Sequence, residues 1–216
     1  TRAATATAAD GDDAGALAHP SAQRPRGVLL EASETLLAKV RVSGGGRCNV
    51  CHDELKDARE LAAMYPRGDR LQLGALTRFG AREAADWFRG WGVTLKTEAD
   101  GRMFPTTDNS QTIVDALCDA SHVAGVAIHR RCKCVDVAPV DAAAEGGWDR
   151  YVVTYREGRG AETKVSCRSV IFATGGSKEG HALLSRLGVP IVAPVPSLFT
   201  LRVASGGVTS GVAGAS

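Results

Sequence analysis

Two short apolar runs set the limits on what this chain can fold into. GVLLEAS at 27–33 is apolar through Leu30 and then meets Glu31; RSVIFATGG at 168–176 runs through Val170, Ile171 and Phe172 into Ala173, Thr174, Gly175 and Gly176. A run with no polar face reads as a strand buried on both sides of a parallel sheet. Its end in an acidic or small residue marks the carboxyl edge, where open α/β sheets bind their ligands. The second run leads into KEGHALLSRLG, a helix expected from about 178 to 188. The expected fold class is α/β.

Other segments fit that class. DELKDARELAAMY (53–65) spaces Leu55, Ala58, Leu61, Ala62 and Tyr65 at helical intervals, with Asp53 as N-cap and Pro66 as the stop. A helix over 81–91 sets Trp87 and Trp91 on one face as core aromatics. VTLKTEADGRMFP (93–105) predicts a hairpin about Asp100 and Gly101. TTDNSQTIVDALCDAS (106–121) opens with cap-forming residues and carries Ile113, Val114, Leu117 and Cys118 on a buried stripe. VAIHRRCKCVDVAPV, WDRYVVTYREG and ETKVSC read as a meander, so that 132–167 forms a small antiparallel layer inserted in the α/β scaffold. Residues 1–26 and 204–216, rich in small residues and without a hydrophobic period, read as tails around an ordered stretch of 27–203.

Charge and cysteine usage narrow the function classes. The 26 basic residues are scattered among 24 acidic ones for a net charge of +2, so no nucleic-acid footprint is expected. No apolar run reaches the roughly 20 residues that span a bilayer, so no membrane partner is expected. Six cysteines in 216 residues fit reduced, intracellular thiols better than a disulfide scaffold. Cys48 and Cys51 have CxxC spacing, but Cys132 and Cys134 lie in a strand-like CxC without the tight turn of a zinc knuckle, so no metal is expected.

SGGGRCN at 43–49 is the densest chemistry in the chain. Three glycines admit a backbone or ligand that a Cβ would exclude. They also fit a flexible loop with no ligand, just as ATGG also fits tight strand-to-helix packing and Glu31 also fits a cap on the turn after it.

Three blocks, KVRVSGGGRCNV, DGRMFPTTDNSQTIVDAL and VIFATGGSKEGHALLSRLGVPIVAPVPSLFTL, resemble in order the aminoacetone oxidase family FAD-binding enzymes, a branch of the two-dinucleotide-binding-domain flavoproteins. With their spacers they span about 27–202, and the PSLFTL ending resembles plant and algal members. The resemblance implies a Rossmann-like FAD-binding domain of an FAD-dependent oxidoreductase of unstated substrate, with NAD(P)H as electron donor and, from the plant-like ending, a plastid location. It implies that Glu31 accepts hydrogen bonds from the adenosine ribose hydroxyls. Ser43 would open the loop in which Gly44, Gly45 and Gly46 let the backbone pass close to the flavin. Arg47 would supply positive charge near the pyrophosphate or the reduced ring, with Cys48 and Asn49 beside it. Val135 would hold adenine through its backbone, and Ala173, Thr174, Gly175 and Gly176 would form the superfamily's ATG turn.

Three departures accompany the resemblance. No GxGxxG phosphate cradle precedes Glu31, and ASGGVTSGVAGAS stands where the family continues beyond Leu201. Position 51 is Cys where Thr is common. The expectation is therefore an incomplete Rossmann-like domain, with a non-catalytic remnant or dinucleotide-binding interaction module as the other reading.

Overall fold

The DG turn at 100–101 closes its hairpin as the sequence requires. Gly101 takes the left-handed conformation at φ 85° and its N–H donates to the Glu98 carbonyl at 2.8 Å. Strands pair on either side, Leu95 opposite Pro105 and Thr97 opposite Met103. The computed structural model describes residues 27–140 and 150–195. The expected tails and the PSLFTL ending lie outside the described residues.

The described elements in chain order are β1 (Val28–Leu30), α1 (Ala38–Val42), a short 3-10 turn (Ser43–Gly46), β2 (Cys51–His52), α2 (Ala58–Ala63), α3 (Asp69–Arg78), α4 (Ala81–Gly90), β3 (Leu95–Thr97), β4 (Arg102–Pro105), α5 (Ser110–Val123), β5 (Ala127–His129), β6 (Cys132–Pro139), β7 (Tyr151–Glu157), β8 (Glu162–Cys167) and α6 (Lys178–Arg186). They form three sheets: a parallel pair β1-β5, an antiparallel β2-β4-β3 and an antiparallel meander β6-β7-β8. The architecture is α/β.

Helix α5 organises the core. Asn109 caps it by accepting from the Gln111 N–H at 2.8 Å, and Ser110, Ile113, Val114 and Ala116 fall on its buried face. Ser110 Oγ donates to the Arg41 carbonyl at 2.9 Å, which ties the start of α5 to α1. Ile113 and Ala116 pack with Cys48 and Val93, and Val40, Phe88, Trp91 and Leu95 close around them. Phe104, wholly buried, sits beneath this layer with Met103 and Pro105. Trp87 and Trp91 lie with ring centroids 6.0 Å apart and planes tilted by 43°, and Trp91 serves the core as expected.

Three expectations change. The helix foreseen from Asp53 begins instead after Asp57, whose carboxylate accepts from the Arg59 and Glu60 N–H groups while Glu60 accepts from the Asp57 N–H. That reciprocal box outcompetes Asp53, which caps only the turn at Leu55. VAIH leaves the meander and forms β5, because its partner is β1. The apolar run at 170–174 is not a strand: β1 pairs with β5, and among the described residues no ladder partner lies beside it, so Ile171 is 90 % exposed. An extended run becomes sheet only when a neighbour takes its N–H and C=O groups.

Candidate functional site

Ser43 to Asn49 form a turn built on three consecutive left-handed glycines. Gly44, Gly45 and Gly46 have φ of 55°, 68° and 86°, all left-handed, and Cys48 joins them at 63°. The three glycines are not equivalent. A Cβ on Gly44 would lie 2.7 Å from Phe104 Cε1 and 2.9 Å from the Asn49 nitrogen, whereas one on Gly45 would meet nothing within 4 Å. Gly44 is therefore glycine because protein presses on it, and Gly45 presents open backbone on the other side. The turn closes on itself through the Cys48 N–H, which donates to the Ser43 carbonyl at 3.0 Å.

The side chains of this turn divide. Cys48 is buried in the core, 6 % exposed, which makes it a packing thiol. Asn49 accepts from the Met103 N–H at 3.3 Å, stitching the turn to β4. Arg47 does not project freely: it donates to Glu98 at 2.5 Å, lies 3.5 Å from Asp108, and rests over the Phe104 ring with 3.9 Å from guanidinium carbon to ring centroid. Its charge is answered within the protein. Asp108 is held below its usual carboxylate range, first by the hydrogen bond from Lys96 and then by Arg47.

Glu31 stands where the sequence places it, at the carboxyl end of β1. Its N–H donates to the His129 carbonyl at 2.8 Å, continuing the parallel ladder by one residue. One carboxylate oxygen, Oε1, accepts from the Ser33 N–H at 2.8 Å, so the cap reading is realised, and the second oxygen keeps accepting capacity for a hydroxyl donor. The Glu31 carbonyl accepts from the Cys132 N–H at 2.8 Å and so fixes the start of β6 against this edge.

Val135 occupies an irregularity in β6. The pairing with β7 shifts between Cys134 and Asp136, leaving Val135 without a cross-strand partner. Bulges free backbone groups and re-aim them. Here the Val135 carbonyl accepts from Arg186 of α6 at 3.0 Å, and Arg186 also reaches Asp136 at 3.2 Å.

The ATGG turn keeps its shape without a strand before it. Gly175 is left-handed at φ 58°, and Ser177 caps α6 by accepting from the Gly180 N–H at 2.9 Å. A Cβ on Gly175 would sit 3.1 Å from Lys39 Nζ. Lys39 belongs to α1, the helix that delivers the SGGG turn, so the two glycine turns flank one short helix. Contacts then run from Glu31 to β6, from the Val135 bulge to α6, and from the ATGG turn before α6 back to α1. Ala173 and Thr174 are exposed on this path. Lys39, Glu98, Phe104 and Asp108 were not read from the sequence, and no local signal marks them, since each acts across a long sequence separation.

The remaining thiol of the CxxC pair, Cys51, is half-buried. Burial, and secondarily Glu54, push the Cys51 thiol up to about 11, and its sulfur lies 3.4 Å from Met103 Sδ. No disulfide joins Cys48, Cys51, Cys118, Cys132 or Cys134, and among the described residues no three His, Cys, Asp or Glu side chains gather to hold a metal. At pH 8 a thiol of this kind carries roughly a hundredfold less thiolate than an ordinary one. Iodoacetamide should therefore label Cys51 about that much more slowly in the folded chain than in urea, as read by mass spectrometry of timed quenches; equal rates would contradict the buried environment. An open depression of about 410 Å³ at the β7–β8 turn is lined by Arg131, Glu157, Gly158, Gly160, Ala161 and Thr163 and by neither glycine turn.

The decisive comparison is with protein families. The HI0933-like protein Rossmann domain matches residues 11–212. This chain belongs to that family. The HI0933-like family is an FAD-binding Rossmann family, so FAD is the cofactor and the α/β class is that of its fold. A curated relative, the 3-dehydro-bile acid delta(4,6)-reductase of Clostridium scindens, is 24% identical over 183 residues, covering 81% of this chain and 41% of that protein. The chain thus spans about two-fifths of the length of this curated relative. Among the described residues no helix is long and apolar enough to cross a membrane.

The residues present fit the two ends of FAD. A carboxylate with a spare oxygen at the edge of a parallel strand suits ribose hydroxyls, and the bare backbone at Gly45 suits the approach of a flat ring. The described residues include no GxGxxG turn for the phosphates between them.

Proposed function

We propose that the chain forms the FAD-holding part of a flavoprotein oxidoreductase, with Glu31 on the ribose, Gly45 and Gly46 beside the flavin, the Val135 backbone near adenine, and Ala173–Gly176 as the second wall. The observation that carries this reading is the placement of the SGGG and ATGG turns at one helix, with Lys39 of α1 against Gly175. When bound, FAD supplies the redox chemistry by accepting a hydride or two electrons at its ring and passing them on. The chain's own residues bind and orient it: Glu31 accepts hydrogen bonds, the left-handed turn keeps side chains out of the ring's way, and the Phe104 layer keeps water from the back of that turn.

The finer reading is kinship with the aminoacetone oxidase family enzymes, supported by the three ordered sequence blocks, with NAD(P)H as electron donor. The reductase named among the curated relatives supports a redox role without naming this protein's substrate. The plant-like PSLFTL segment supports a plastid location, which fractionation of a tagged full-length product checks.

The test is the visible spectrum of the chain after incubation with FAD and desalting, followed by titration of Glu31→Ala. Retained absorption at roughly 450 nm, the oxidised-flavin region, is the expected result. Loss of a charged hydrogen-bond acceptor should weaken FAD binding by roughly 10- to 100-fold. A colourless wild-type chain, or an unchanged affinity in Glu31→Ala, would overturn the assignment.

A further inference from the structure

The glycine turn carries a conformational burden that its own hydrogen bonds do not explain. Four of the five residues from Gly44 to Cys48 hold left-handed backbone, three of them glycines, which lose the most freedom on folding. Cys48 adds the strain of a Cβ in that region. Such a turn keeps one course only if neighbouring elements fix it.

Three anchors are visible. Cys48 is sunk in the core, and the Phe104 ring presses on Gly44. The third is Arg47, which joins the turn to both ends of the β3–β4 hairpin region. Its guanidinium bonds to Glu98, at the hairpin's turn, and approaches Asp108, in the loop before α5. Both acids hold further cations: Asp108 takes Lys96 at 2.5 Å and Glu98 lies 3.7 Å from Arg102. The cluster is a network laid over one aromatic ring, with the Arg102 guanidinium 5.4 Å from the centroid. An isolated exposed pair would contribute little, but a network over a buried ring is held in one geometry.

We infer that Arg47, Glu98 and Asp108 form a latch that holds the glycine turn in the course that receives the cofactor, with Arg47 a positioning residue and not a contact to the flavin. The consequence for FAD rests on the assignment of that turn to the cofactor; the latch itself does not. With Asp100 on Arg102, three carboxylates answer the three cations of the cluster, which leaves the turn's open backbone at Gly45, and not a cation, as what it presents outward.

The test uses the full chain without FAD. Amide hydrogen exchange is followed for peptides covering 43–50 in wild type, Arg47→Met, Arg47→Lys and the double variant Glu98→Gln with Asp108→Asn. Exchange should rise roughly tenfold in Arg47→Met and in the double variant, stay near wild type in Arg47→Lys, and leave the thermal midpoint within about 3 °C of wild type. Wild-type exchange in both disrupted variants overturns the latch. FAD titration of the same four proteins separates the two questions. Equal loss of affinity in Arg47→Met and in the double variant, which retains Arg47, supports positioning. A much larger loss in Arg47→Met alone shows direct contact and overturns it. If wild type binds no FAD, the cofactor assignment fails while hydrogen exchange still decides the latch.

Discussion

Replacing Phe104 with alanine is expected to lower the free energy of unfolding by about 3–5 kcal/mol, the range for deleting a buried aromatic ring. The ring is wholly buried, and its removal leaves a void directly beneath the glycine turn. Phe104 supports Gly44 on one edge and the Arg47 guanidinium on its face. Phe104→Ala should therefore damage FAD retention more, relative to its stability loss, than a smaller core truncation elsewhere, such as Val114→Ala in α5. Urea titration of the two variants with parallel FAD binding checks both statements. A Phe104→Ala loss below about 1 kcal/mol would mean that the turn and hairpin do not share this ring, since truncating a packed core Phe to Ala costs about 3–5 kcal/mol.

Gly44→Ala should cost roughly 2–4 kcal/mol, by adding the strain of a left-handed alanine to overpacking against a ring and a backbone nitrogen. Gly45→Ala, one residue away, should cost only about 1–2 kcal/mol, because its Cβ meets no atom and the left-handed backbone is the whole penalty. The order should invert for cofactor binding relative to stability. Gly45→Ala projects a methyl into the open side and should weaken FAD more than its small effect on folding predicts. Denaturant midpoints and FAD titrations on the pair provide the comparison. Equal stability losses would show that Phe104 does not press on Gly44.

What the sequence made legible was what short segments decide for themselves. The Asp100-Gly101 turn, the Asn109 cap with the α5 stripe, and the acidic end of β1 all depend on a few adjacent residues, and all are present. The position of the cap on α2 was missed because two aspartates compete and only Asp57 has a glutamate three residues on. Helix α3 was not anticipated: it buries none of its residues and leaves Leu71 86 % exposed, so it has no apolar stripe to reveal it. The run at 170–174 was misread for a deeper reason. Apolarity records a wish for burial, while strand identity depends on a neighbour that the run does not contain. Within the site, Glu31 and the glycines were visible as residue types, but Arg47 was not visible as an internally paired cation. Its partner Glu98 lies 51 residues away, beyond the reach of any local pattern.

The parallel pair has a consequence for how the molecule assembles in time. Val28 meets Ala127 across roughly 100 residues of intervening chain, whereas the β3–β4 hairpin closes over about ten. Closing a long loop loses more chain entropy and is slower than closing a short one, and parallel strands have no tight turn to begin from. During synthesis the hairpin, with Glu98 and Phe104, is complete before β5 exists, so the glycine turn has its support while Glu31 is still untethered. The ribose end of the site is then placed only after the glycine turn, with the Val135 bulge and the ATGG turn following it, and a chain stalled before residue 127 would hold one glycine turn ready with nothing yet to align it against.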